Sequence, residues 1–147
     1  MLYSDMILYS LYVLFNIYGW YTWSRGEVES EKIHVSWLKR YGLLITLVVI
    51  GVGTFIWGYL MQHNTNAHLV YIDAFTTVAS LTAQFLLTRK KIDNWIIWLV
   101  VNIVSFGMYM YKGLFFFAAL SMVYFVLCAM GLRDWKADYK QLVSLRD

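Results

Sequence analysis

Proline is absent from this 147-residue chain, which excludes Pro-rich linkers and polyproline II segments. The single cysteine, Cys128, has no second cysteine for an intrachain disulfide and no companions for a metal cluster. It lies in an apolar stretch and says little about redox compartment. Charge is scarce as well: Asp, Glu, Lys and Arg make up 14% of the residues, where a soluble domain carries about a quarter. What replaces them is apolar, with 61% hydrophobic and 19% aromatic residues. That excess excludes a disordered chain and argues against a water-soluble globule, because too little polar surface remains to cover one. The balance of 12 Lys+Arg against 9 Asp+Glu is too even to imply a nucleic-acid partner. No basic region follows Met1, and no small-residue cleavage site follows the first apolar run. That run is expected to be a retained membrane helix rather than a signal peptide.

Five apolar stretches are long enough to cross about 30 Å of hydrocarbon, which takes about 20 helical residues. They cover 2–23 (A), 41–61 (B), 69–88 (C), 94–111 (D) and 113–132 (E). Helix is expected because backbone groups in lipid must bond within their own segment. The alternation that a membrane barrel needs is missing. The expected fold class is therefore an all-α membrane protein of five transmembrane helices, one domain over 1–147 with a tail at 133–147. The A–B connection, 24–40, is polar and of mixed charge. Its amphipathic piece around Ile33, Val35, Trp37 and Leu38 is expected to lie on the membrane interface.

Lysine and arginine are partitioned unevenly. Arg25, Lys32, Lys39 and Arg40 fall in loop A–B, Arg89, Lys90 and Lys91 in loop C–D, and Arg133, Lys136, Lys140 and Arg146 in the tail. If all five helices span, these eleven share one side and only Lys112 is on the other. The positive-inside rule then puts the C-terminus in the cytoplasm and Met1 outside, in a multi-pass membrane protein.

The spans contain no Lys, Arg or Glu, and His34, His63 and His68 are all expected in loops. This leaves no haem-ligating pair, no Ser/His/Asp set, no metal-binding histidine cluster and no carboxylate relay. Neither an enzyme nor a bound cofactor or metal is expected. Among the polar residues that remain are Asn16 in A, Asp73, Thr76, Thr77, Ser80, Thr82 and Gln84 in C, Asn102 and Ser105 in D, and Ser121 in E. Asn16, Asp73, Gln84 and Asn102 are costly in lipid unless they face protein or water, so they are expected to point into the bundle. Each could be interhelical glue or part of a ligand site. Asp73 could pair with a loop group or make an outer vestibule negative. Gly51, Gly53 and Gly58 in B are read as permitting close packing.

Span D carries the sharpest pattern, W-x-x-W-x-x-x-N at Trp95, Trp98 and Asn102. The steps i, i+3 and i+7 put all three on one stripe of a helix. Two indole faces above an amide suit a flat, partly cationic ring bearing hydrogen-bonding groups. The alternative is an interfacial aromatic belt with Asn102 as glue. A belt accounts well for Trp95, beside Arg89-Lys90-Lys91, and less well for the deeper Trp98 and Asn102.

The run Asp93-Asn94-Trp95-Ile96-Ile97-Trp98 through Asn102 resembles the substrate-helix motif of the PnuC family of bacterial vitamin transporters. Asn16-Ile17-Tyr18-Gly19-Trp20-Tyr21-Thr22-Trp23-Ser24-Arg25 is similar to another of its segments, and Asp73 through Thr88-Arg89-Lys90 to a third. The resemblance implies nicotinamide riboside uptake by facilitated diffusion in the bacterial inner membrane, with the solute bound near the midplane. Thiamine or riboflavin are alternatives within the family. It also implies a 3+1+3 SWEET-like fold in which A is the third helix, B the linker and C, D and E the second bundle. The first two helices have no counterpart here, and a truncated non-transporting membrane protein is the alternative of a different class. The implied partners are the solute, the bilayer and two further copies in a homotrimer. Trp95, Trp98 and Asn102 would hold the pyridine ring and its amide. Asn16 and Trp20 match third-helix positions, and Gln84 and Asp73 are implied ribose or gating contacts. Tyr9 stands where the family has a glutamine.

Overall fold

The computed structural model describes residues 2–26, 35–64 and 69–145. They form five helices: α1 (Leu2–Gly26), α2 (Arg40–Asn64), α3 (Val70–Thr88), α4 (Asp93–Tyr111) and α5 (Phe115–Ser144). Among the described residues, four are long and apolar enough to cross a membrane, namely α2 to α5. The chain is thus an all-helical, multi-pass membrane protein. The five-span expectation differs at α1, which at 25 residues has the length but is less apolar. Tyrosines, tryptophans and Asn16 interrupt its aliphatic residues.

Helix α3 is the centre. It packs against α1, α2 and α4, while α5 packs on α4; α1 touches α3 alone among the described helices. Small side chains let α3 serve three neighbours. Ala74, Ala79 and Ala83 are wholly buried, and close helix approach in lipid depends on such residues. On α2, Gly58 lies under the Tyr71 ring, where an added Cβ would come within 2.5 Å, and Gly53 faces Val78. Nothing lies within 4 Å of such an atom at Gly51, so close packing accounts for two of the three glycines.

The turns after α3 and α4 share one design. Lys91 N–H donates to Leu86 O and Lys90 N–H to Leu87 O; after α4, Leu114 N–H donates to Tyr109 O and Gly113 N–H to Met110 O. These are Schellman caps, which need a left-handed residue. Gly113 supplies it at φ 71°, whereas Lys90 adopts φ 50° with a side chain attached. That conformation is uncommon without glycine. The Lys90 ammonium lies over the Trp23 ring, 4.9 Å from its centre.

Two segments depart from the hydropathy pattern. Helix α5 runs twelve residues past Leu132, through what reads as a tail, because no proline or glycine stops it and Trp135 packs edge-on to Trp95 at 5.4 Å. The 35–39 segment, expected as an amphipathic piece on the interface, has no helical turn. It is a strap clasped to the α3–α4 turn, while Ile33, His34 and His68 lie outside the described residues. Ser36 N–H donates to Lys90 O at 3.2 Å and Ile92 N–H to Ser36 O at 3.0 Å. Lys91 Nζ donates to Ser36 Oγ at 2.7 Å, and Leu38 N–H to Asp93 Oδ2 at 2.7 Å. Lys136 of α5 sits over Trp37 at 5.6 Å. The basic segments therefore meet at one end of the bundle. His63 is in the last turn of α2 rather than in a loop.

Candidate substrate site

The half of the bundle remote from that basic end holds a cavity of about 590 Å³. Its walls are α3 from Val70 to Ser80, α4 from Trp98 to Tyr109 and α5 from Phe117 to Tyr124, with Tyr9 and Tyr12 of α1 and Trp57 and Met61 of α2 closing the sides. At 1.5 Å per helical residue it extends about 15 Å along α3. At its rim Lys112 Nζ meets both Asp73 oxygens at 3.2 Å, each side chain about a quarter exposed. Trp98 and Asn102 stand at its deep end.

Four polar side chains of the wall share one feature. Thr76 and Thr77 donate to Asp73 O at 3.0 and 2.8 Å, and Ser121 donates to Phe117 O at 3.0 Å. Asn102 Nδ2 donates to Trp98 O at 2.8 Å and to Cys128 Sγ at 3.7 Å. Each spends a donor inside the protein, which leaves its oxygen free to accept.

The seven residues singled out by sequence fall into three places. Trp98, Asn102 and Asp73 line the cavity. Asn16, Trp20 and Gln84 border a separate hollow of about 170 Å³ on the α1–α3 seam, where Gln84 Nε2 donates to Asn16 Oδ1 at 3.2 Å. Gln84 is buried there as expected, but Asn16 is exposed and Trp20 is 74% exposed, because α1 is covered on one face only. Trp95 lies in the α4–α5 seam, packed on Gly131 and Trp135, its buried Nε1 without a partner. The stripe on α4 is real, but it follows the α5 contact: Trp95 meets Gly131 and Asn102 meets Cys128. Only its upper part borders the cavity. Sequence reading missed Tyr12, Trp57 and Tyr124 as lining residues, since nothing distinguishes them in a chain so rich in aromatics.

Comparison with known proteins places this arrangement. The family model described as nicotinamide mononucleotide transporter matches residues 1–137. The chain belongs to that family. It is similar to the nicotinamide riboside transporter PnuC of Escherichia coli (strain K12), with 27% identity over 89% of this chain and 64% of that protein. The riboflavin/roseoflavin transporter RibM of Streptomyces davaonensis is 26% identical over 81% of this chain and 57% of its own length. The PnuC of Neisseria mucosa is 27% identical over 74% and 43%. The chain thus spans less than two thirds of the length of these curated relatives. No solved structure matches it.

Proposed function

We propose that this family member takes part in carrying nicotinamide riboside across the bacterial inner membrane, without enzymatic chemistry. The observation that carries this reading is the pairing of Trp98 with Asn102 at the deep end of the cavity. An indole attracts a cationic ring by about 0.5–2 kcal/mol, and an amide acceptor one turn on suits the carboxamide of a pyridinium. The volume falls within the usual range for small-molecule sites, about 300–1,000 Å³.

The lining argues for the riboside over the mononucleotide. Among the described residues that border the cavity none is basic, and the one carboxylate is Asp73. A phosphate entering there would be desolvated without a cation to meet it. Asp73 is engaged by Lys112, and no second carboxylate lines the site among the described residues. Facilitated diffusion by rocking of helices about a midplane site is the simplest mechanism. In this reading the basic end is cytoplasmic, α1 and α2 act as third helix and linker of a 3+1+3 fold, and α3 to α5 are the second bundle. Assembly as a homotrimer belongs to the same proposal. The hollow with Asn16, Trp20 and Gln84 would join the site only in another arrangement of α1.

The test is binding of nicotinamide riboside, with thiamine and riboflavin as competitors, by the membrane-inserted chain. Trp98→Ala and Asn102→Leu are each expected to weaken riboside binding at least tenfold, about 1.4 kcal/mol, with insertion unchanged. Displacement by riboflavin alone would move the assignment towards the RibM-like relatives. Absence of binding to all three would leave a non-transporting membrane protein.

A further inference from the structure

We infer that Cys128 and the Trp98 carbonyl lock Asn102 with its oxygen towards the cavity, so that the site selects a ring substituent that donates a hydrogen bond and rejects a carboxylate. The inference rests on the proposed riboside site and deepens it. A free asparagine amide can present either face, donor or acceptor, and would welcome a carboxamide or a carboxylate equally. Here both amide hydrogens are engaged, one by Trp98 O at 2.8 Å and the other by Cys128 Sγ at 3.7 Å. Asn102 is 7% exposed and Cys128 7%, so rotation of the amide would have to break these contacts in a packed seam. Three hydroxyls of the wall are spent in the same way. Thr76, Thr77 and Ser121 also spend their hydroxyl donors on their own helices. A 3-carboxamide can donate to Asn102 Oδ1; a 3-carboxylate there would set acceptor against acceptor, leaving buried groups unpaired, which is how polar sites achieve strong discrimination. Cys128 does not border the cavity, so it acts as a positioning residue through Asn102.

The experiment measures binding of nicotinamide riboside and of its 3-carboxylate analogue, nicotinic acid riboside, to the full chain in lipid nanodiscs. The expected result is a preference of at least thirtyfold for the carboxamide. Cys128→Val, which keeps the volume and removes the acceptor, is expected to cut that preference to under tenfold while weakening carboxamide binding about threefold. Cys128→Ser, which restores an acceptor, should recover it. A merely structural cysteine would change both affinities together and leave the ratio alone, which would overturn the inference while sparing the site. Equal binding of the two ribosides by the unaltered chain would overturn it too, even if the Val variant failed to insert. Failure of both ribosides to bind would overturn the proposed function and this inference with it.

Discussion

The two ends of this bundle are built in opposite ways. At the basic end, backbone meets backbone: the strap bonds to the α3–α4 turn through Ser36, Lys90 and Ile92, Asp93 accepts from Leu38, and Trp95 is wedged between Gly131 and Trp135. Ile92 and Asn94 are wholly buried there. At the other end, the helices part around the cavity, and a half-screened ion pair, Asp73 with Lys112, crosses its rim. One end is closed by backbone contacts, whereas side-chain contacts tie the other, among them the ion pair, the Tyr71 hydroxyl donating to Gln62 Oε1 and the Tyr109–Phe117 ring contact. The closed end is not fully satisfied, since Asn94 Oδ1 and Trp95 Nε1 are buried without partners. Each such atom costs about 1–3 kcal/mol.

Substitutions can break this contrast, and their effects should fall in order. Gly131→Leu is the harshest, because a Cβ there would come 2.6 Å from the Trp95 ring. Overpacking of this kind costs about 1–3 kcal/mol and often more. Thermal melting in detergent should show the loss, and an unchanged melting temperature would mean that packing does not seal the basic end. Asp93→Ala removes the acceptor for Leu38 N–H and a negative charge in the first turn of α4. The expected cost is about 1.5–3 kcal/mol, read as faster hydrogen exchange over 36–38 with little change in α5. Exchange that rises equally throughout would show that the strap is not a separate latch. Lys112→Gln should matter least for stability, under about 1 kcal/mol, since the pair is partly exposed. Its sharper readout is on the ligand: freeing Asp73 should raise the affinity for the cationic riboside at low salt and not for neutral riboflavin. A matching gain for both would remove Asp73 from solute selection.

Much of the scaffold was legible before any coordinates. Runs of apolar residues located the helices to within a few positions, and the clustering of lysine and arginine anticipated that three segments would share an end. The end of α5 was not legible, because the residues after Leu132 are polar, and hydropathy reports lipid contact rather than helicity. The strap escaped for another reason: Val35, Trp37 and Leu38 look amphipathic, yet their partners lie 55 residues away in sequence. The site was half legible. Trp98, Asn102 and Asp73 announced themselves as polar or periodic residues in an apolar context, whereas Tyr12, Trp57 and Tyr124 had no distinguishing mark. Trp95, on the same stripe as Asn102, is taken from the cavity by Trp135.

What sequence by itself determined is the solvent and the class: a charge-poor aromatic chain with long apolar runs has to satisfy its backbone within helices in lipid, and its basic residues have to gather at one side. What only the tertiary structure decided is which polar atom faces which space. Helical periodicity specifies a direction around an axis; whether that direction meets a neighbouring helix, lipid or a cavity depends on how the axes cross. The Asn102 amide shows the difference, since its place on α4 follows from spacing, while its contact with Cys128 Sγ at 3.7 Å comes from the packing of α5.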